Sequence, residues 1–206
     1  MTSVAIIDYG IGNLRSVEKA FAAVGVDALV TRDRAALANA ERLVLPGVGA
    51  FATCMRELNR YGFGELIVER VHQGTPLLGV CVGMQMLFEE SSEFGCTKGL
   101  GLLKGSVKRF DGDLVVPHVG WNQVKERARH RLFESMPQDS FFYFVHSYYC
   151  EPRDDATSIG ETDYGAPFAS VVAERNICGV QFHPEKSQTL GLQLLKNFAN
   201  DMSDTL

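Results

Sequence analysis

Metal-ligand spacing is missing from this sequence. The five cysteines, Cys54, Cys81, Cys96, Cys150 and Cys178, are odd in number, scattered and never in a CxxC pair. That argues against a structural zinc site and against a disulfide framework. No HExxH motif offers a catalytic metal, so no metal is expected. Neither glycine-rich loop ends in Lys-Ser or Lys-Thr, which excludes the common nucleoside triphosphate cradle. Long apolar runs are also lacking. The longest covers residues 77–84, far short of the roughly 20 residues that a membrane helix needs. The chain opens without a basic leader and an apolar signal core, and the free thiols suit a reducing compartment, so a cytoplasmic location is expected. Positive charge is short as well. Twenty Lys and Arg face 25 Asp and Glu, for a net charge of −5, which disfavours nonspecific nucleic-acid binding because counterion release needs a basic surface. No linker, repeat or low-complexity segment interrupts the 206 residues, so a single domain over 1–206 is expected.

What is present is an alternation of apolar runs and helix-period segments. Residues 4–7, 28–30, 42–45 and 77–80 are strand-like, and the first, third and fourth of these runs lead into Asp8, Pro46-Gly47-Val48-Gly49 and Cys81. Between them, Leu14, Val17, Ala20, Phe21 and Val24 fall at helical spacing, as do Phe51, Cys54, Met55 and Leu58, and then Leu66, Ile67 and Val71. Repeated strand–helix units imply a parallel sheet covered on both faces. The second half reads as antiparallel. Residues 106–110 and 114–116 flank Asp111-Gly112-Asp113 as a hairpin, residues 140–149 form a long aromatic strand, and strands follow at 157–162, 168–172 and 177–182. Leu190, Leu194, Leu195, Phe198 and Met202 close the chain as a helix. The expected fold is α/β: three layers, a mostly parallel sheet with helices on both faces, and an added antiparallel section. Ligands of such sheets sit outside the carboxyl ends of the strands.

Gly79-Val80-Cys81-Val82-Gly83 lies between a strand and an expected helix over residues 84–90, which is the nucleophile-elbow pattern with sulfur in place of hydroxyl. The turn lifts the thiol clear of the sheet, the helix N-terminus favours thiolate, and the Val82 N–H is placed to hold an oxyanion. A buried, inert cysteine is the competing reading, and it fits Cys54 and Cys178 within apolar stretches and Cys150 at a strand end. Nucleophilic cysteine needs a histidine. Of the five, His72 and His130 lie in polar surroundings, and His118 and His146 sit in strand-like segments as core groups. His183 follows a strand end in His183-Pro184-Glu185, where proline stiffens the turn and the carboxylate can reach back to fix the imidazole tautomer. Gly47-Val48-Gly49-Ala50-Phe51-Ala52 loosely matches a dinucleotide fingerprint, but it lies on the third strand–helix unit rather than the first. No cofactor is therefore expected.

Pro46-Gly47-Val48-Gly49, Gly79-Val80-Cys81-Val82-Gly83-Met84-Gln85 and Gln181-Phe182-His183-Pro184-Glu185-Lys186-Ser187, in this order, resemble the class I glutamine amidotransferases over essentially the whole chain. Further stretches are similar to one branch of that family, the glutaminase subunits of imidazole glycerol phosphate synthases in histidine biosynthesis: Asp8-Tyr9-Gly10-Ile11-Gly12-Asn13-Leu14, Pro117-His118-Val119-Gly120-Trp121-Asn122 and Phe144-Val145-His146-Ser147-Tyr148-Tyr149. The resemblance implies a Cys81 nucleophile, a His183 base oriented by Glu185, and an oxyanion held by the N–H groups of Val48 and Val82. It implies glutamine as substrate, with Gly49, Gln85, Glu93, Ser147 and Tyr148 at its amino-acid end. It also implies a partner, a (β/α)8-barrel cyclase subunit that receives the ammonia, with Asn13, Trp121, Tyr143 and Lys186 near the interface. In that branch the free glutaminase is nearly idle until the liganded cyclase switches it on, and a flip of the Gly47–Val48 peptide would present the oxyanion donor. The readings that stay open are a glutaminase serving another synthase, a cysteine hydrolase or redox sensor on a similar sheet, and a dinucleotide-binding module.

Overall fold

A computed structural model describes residues 4–112 and 114–200. The first half of the chain is β1 (Val4–Ile7), α1 (Leu14–Ala23), β2 (Ala28–Thr31), α2 (Arg34–Asn39), β3 (Arg42–Gly47), α3 (Phe51–Arg60), α4 (Phe63–His72), β4 (Leu77–Cys81) and α5 (Val82–Gln85). The second half adds β5 (Glu90–Ser91), β6 (Thr97–Lys98), β7 (Gly105–Arg109), β8 (His118–Glu126), β9 (Ser140–His146), β10 (Tyr148–Pro152), β11 (Ser158–Asp163), β12 (Pro167–Glu174), β13 (Ile177–Val180) and α6 (Gln188–Ala199).

The sheet runs β2-β1-β3-β4-β13-β12-β10-β7-β5-β6. Its parallel part is β2-β1-β3-β4-β13. From β13 onward the ladder turns antiparallel through β12, β10 and β7, and a branch of β11, β8 and β9 leaves from β12. β1, β4 and β13 are buried at every residue and β3 at all but its first, because helices cover both faces. Right-handed crossovers explain the two layers. The chain moves one way from β1 to β2 and the other way from β2 to β3 and β4. α1 therefore lies on one face, where it packs with α6, and α2 and α3 pack with α4 on the opposite face. Gly25, with φ of +77°, stops α1: its N–H bonds the Ala22 carbonyl while the Val26 N–H bonds that of Phe21.

Three sequence expectations are corrected, and one helix is added. Residues 114–116 form no strand, and β7 makes no hairpin with them; it pairs instead with β10, Tyr148 opposite Arg109, and with β5. Both of its edges are taken by residues remote in sequence, and the segment after Asp111 leaves to reach Tyr164, whose hydroxyl bonds the Val115 carbonyl. The long strand at 140–149 is two strands, broken at Ser147 as the chain passes from the β8 partner to the β7 partner. The helix after Cys81 spans only Val82–Gln85. The carbonyls that would extend it, those of Met86, Leu87, Phe88 and Glu89, accept instead from Leu100, Leu103, Gly101 and Gly99, so the ladder bonds cannot continue. α2, which carries a single buried residue, Leu37, has no counterpart in the sequence pattern. Met202 and Asp113 lie outside the described residues. Among those described, no helix is long and apolar enough to cross a membrane.

Candidate active site

β4 ends at Cys81, whose φ of 56° and ψ of −115° put a non-glycine residue in backbone space that costs of order 1–3 kcal/mol. The surroundings enforce it. A Cβ at Gly83 would overlap the Leu45 carbonyl oxygen, one at Gly79 would sit 2.7 Å from the Gly83 oxygen, and one at Gly47 only 2.6 Å from the Gly83 nitrogen. These glycines are needed for close approach, letting β3 and the elbow pack backbone to backbone. Gly49 differs, with φ of +81° and open space around it.

Beside the elbow, β13 runs into His183, and a 3-10 turn over Pro184–Lys186 follows. The imidazole Nδ1 lies 2.9 Å from Oε1 of Glu185, with both side chains almost fully buried. The same Oε1 accepts from Asn13 Nδ2 at 3.2 Å. Nδ1 must therefore carry a proton, which leaves Nε2, buried and without a hydrogen-bond partner, free to handle another. Burial alone would lower the His183 pKa, but the negative charges that face it, the Glu185 carboxylate and the Cys81 sulfur once deprotonated, outweigh it and raise it to about 10, which makes Nε2 a strong acceptor for the Cys81 proton. For Glu185 burial pushes upward, and its bonds to His183 and Asn13 win, holding the carboxyl below the usual range. Gln181 Nε2 approaches the Cys81 sulfur at 3.9 Å.

A cleft of about 300 Å³ opens over the thiol. Val48, Gly49, Cys81, Val82, Gln85, Glu93, Ser147, Tyr148, His183 and Lys186 line it, which brings together ten of the residues singled out in the sequence. Glu93 Oε2 accepts from the Phe51 N–H at 2.6 Å, fixing the carboxylate at the N-terminus of α3. Gln85 Nε2 donates to the Tyr148 carbonyl and to Gln181 Oε1, each at 3.1 Å. Glu185 stands behind His183, outside the lining.

The glycine loop that loosely resembles a dinucleotide fingerprint is thus one wall of a thiol-containing cleft. Among the described residues, no group of three or more His, Cys, Asp or Glu could hold a metal. A family model for class I glutamine amidotransferases matches residues 5–202. The chain belongs to the class I glutamine amidotransferases. It is 48% identical to the imidazole glycerol phosphate synthase subunit HisH of Geobacter metallireducens, with 97% of this chain and 98% of that protein covered. It is 51% identical to the protein of the same description from Aromatoleum aromaticum, over 96% and 98%. Among solved structures it is similar to a glutamine amidotransferase (TM-score 0.75, 20% identity, 95% and 96% covered) and to PurLQS from Thermotoga maritima (TM-score 0.76, 17% identity, 97% and 99% covered), which shows the shared fold.

Asn13, expected near an interface, precedes α1 without making a side-chain capping bond; in this amidotransferase it holds Glu185. Trp121 is 46% exposed on β8 and meets Tyr143 of β9 edge-on, with ring centroids 6.1 Å apart. It is no core aromatic. Lys186 is exposed and lies over the Tyr143 ring, 5.8 Å from its centroid. The Tyr143 backbone binds the turn from His183 to Ser187 directly: its carbonyl accepts from the His183 N–H at 2.9 Å and its N–H donates to Ser187 Oγ at 3.0 Å.

Sequence reasoning gave His118 and His146 only as core groups, and the structure adds a task for them. The Tyr148 carbonyl can only accept, so His146 carries its proton on Nδ1, 2.9 Å away. Its Nε2 then accepts from His118 Nδ1 at 3.0 Å, and His118 Nε2 accepts from Asn122 Nδ2 at 3.3 Å. Burial pushes His146 down to about 3 and also lowers His118, so the chain is neutral and its tautomers are locked. It fixes the carbonyl on which Gln85 also rests. The signal in sequence was their place in the Pro117–Asn122 and Phe144–Tyr149 motifs. His130, read as solvated, is half-buried and accepts the Leu132 N–H.

Proposed function

We propose that this chain is the glutaminase subunit of an imidazole glycerol phosphate synthase, the description carried by its relatives from Geobacter metallireducens and Aromatoleum aromaticum. The observation that carries the chemistry is a strained Cys81 elbow in one cleft with a His183 whose free Nε2 faces no other partner. The thiol gives its proton to Nε2, and the sulfur attacks the side-chain amide carbon of glutamine. The N–H groups of Val48 and Val82 hold the tetrahedral oxyanion. His183 passes the proton to the leaving nitrogen, ammonia departs, and a glutamyl thioester remains. Water then attacks as His183 takes its proton, which releases glutamate and restores the thiol. Glu185 keeps the proton on Nδ1 and stabilises the imidazolium. Gly49, Gln85, Glu93, Ser147 and Tyr148 bind the amino-acid end of glutamine.

Ammonia must stay unprotonated to react, so it passes through protein to a (β/α)8-barrel cyclase. There it is joined to a phosphoribosylated carboxamide, giving imidazole glycerol phosphate and an aminoimidazole carboxamide ribonucleotide for histidine biosynthesis. The β8–β9 ribbon supports this docking. Val119 (56% exposed), Trp121 and Phe141 (50%) share one face with Tyr143, because alternate residues of paired strands point the same way. We place the work in the cytoplasm, in one domain spanning 1–206, with no cofactor, metal, nucleic acid or membrane. The liganded cyclase would switch hydrolysis on by turning the Val48 N–H into the cleft. Co-expression with a barrel cyclase, followed by glutamine hydrolysis with and without the cyclase ligand, tests the reading. Co-purification and strong activation are expected; full activity of the free chain removes the switch, and failure to bind the cyclase removes the assignment.

A further inference from the structure

The loop over the thiol rests on two buried side chains that the proposed mechanism leaves without a task. Tyr9 follows β1, and Cys54 lies in the first turn of α3; neither has exposed surface. The Tyr9 hydroxyl donates to the Pro46 carbonyl at 2.7 Å, and the Cys54 thiol donates to the Val48 carbonyl at 3.3 Å. The two side chains also touch each other. The carbonyls they hold belong to the peptides 46–47 and 48–49. Between them lies peptide 47–48, which carries the Val48 N–H. A peptide plane turns about its two flanking Cα atoms, so pinning the planes on either side fixes the axis and leaves a single plane to be aimed. Val48 itself is 37% exposed and lies just beyond the last β3–β4 pair, Gly47 with Cys81.

We infer that Tyr9 and Cys54 are positioning residues that pin the peptides on both sides of Gly47–Val48 and so aim the Val48 N–H at the oxyanion. The inference rests on the glutaminase reading of Cys81 and adds to it. Burial raises the Cys54 thiol and outweighs the lowering by Tyr9 and the Val48 backbone, so Cys54 stays a protonated donor rather than a second nucleophile. Tyr9 is raised in the same way.

The test uses the full chain assembled with a barrel cyclase and its ligand, comparing Tyr9→Phe, Cys54→Ala and Cys54→Ser. Losing an oxyanion donor outright costs on the order of 10²–10³ in kcat, so a donor that is only misaimed is expected to cost about tenfold, with KM for glutamine within about twofold. Serine keeps a donor at position 54 and should restore most of the rate. Iodoacetamide alkylation of Cys81, followed by peptide mass, forms no oxyanion and should proceed at the wild-type rate in all three. Wild-type kcat in Tyr9→Phe and Cys54→Ala overturns the inference. So does a loss that serine does not rescue, or alkylation slowing in parallel with hydrolysis, which would mark general loosening. A wild-type complex that hydrolyses no glutamine overturns the parent reading, and this one with it.

Discussion

Asn13→Ala separates two tasks that one residue could hold. Its Nδ2 lies 3.2 Å from Glu185 Oε1, the same oxygen that holds the His183 ring at 2.9 Å. A hydrogen bond to a charged group contributes about 1.5–3 kcal/mol. Asn13 is half-buried, so water can replace part of what alanine removes, and the low end applies. About 1.5 kcal/mol lost from the transition state slows hydrolysis about tenfold. The pH profile gives a second signature. The bonds from His183 and Asn13 hold the Glu185 carboxyl below the usual range, against burial. A depressed carboxylate contributes its stabilisation above its unfolded value and loses it as pH falls through the folded value. Removing Asn13 raises the folded value, so the acid limb of kcat moves to higher pH. The assay is kcat and KM for glutamine in the assembled complex from about pH 5 to about pH 9. An unchanged kcat and acid limb, with weaker cyclase binding instead, would refute the triad task and return Asn13 to the interface.

Cys81→Ala should abolish glutamine hydrolysis while the complex still makes the cyclase product from added ammonium salt; loss of both activities would contradict the division of labour. Trp121→Ala removes an exposed aromatic of the kind that anchors interfaces, so cyclase binding by calorimetry should weaken by about 2 kcal/mol, about 30-fold in Kd. A histidine pushed down to about 3 by burial binds fewer protons folded than unfolded, so its stabilisation is lost as pH falls below the usual histidine value. Urea unfolding should weaken toward acid by at most about 1.4 kcal/mol per pH unit for this group, and His146→Phe should flatten that slope.

What the sequence revealed and what it hid follow one physical division. β1, β3, β4 and β13 are legible because central parallel strands are buried on both faces and read as apolar runs. The elbow is legible because backbone crowding leaves no choice but glycine at 79 and 83. The His183–Glu185 pair is local, two residues apart, and so was within reach. Features that failed are set by distant partners. Asn13 finds Glu185 across 172 residues, and the helix after Cys81 stops because the segment at 99–103 takes its carbonyls. The hairpin at Asp111 lost to pairing with β10, a competition that Asp-Gly turn chemistry does not register. Cys54 read simply as core and Tyr9 only as part of the Asp8–Leu14 motif, because side chains that bond backbone carbonyls leave no mark in an apolar pattern.

The proposed hydrolysis turns on a covalent bond at one sulfur. Rapid acid quench of the assembled complex turning over glutamine, followed by proteolysis and peptide mass, reads it directly. A glutamyl adduct should be found on the peptide bearing Cys81 and on none bearing Cys54, Cys96, Cys150 or Cys178. Steady glutamine hydrolysis with no adduct on Cys81, or with the adduct on another cysteine, would contradict the account.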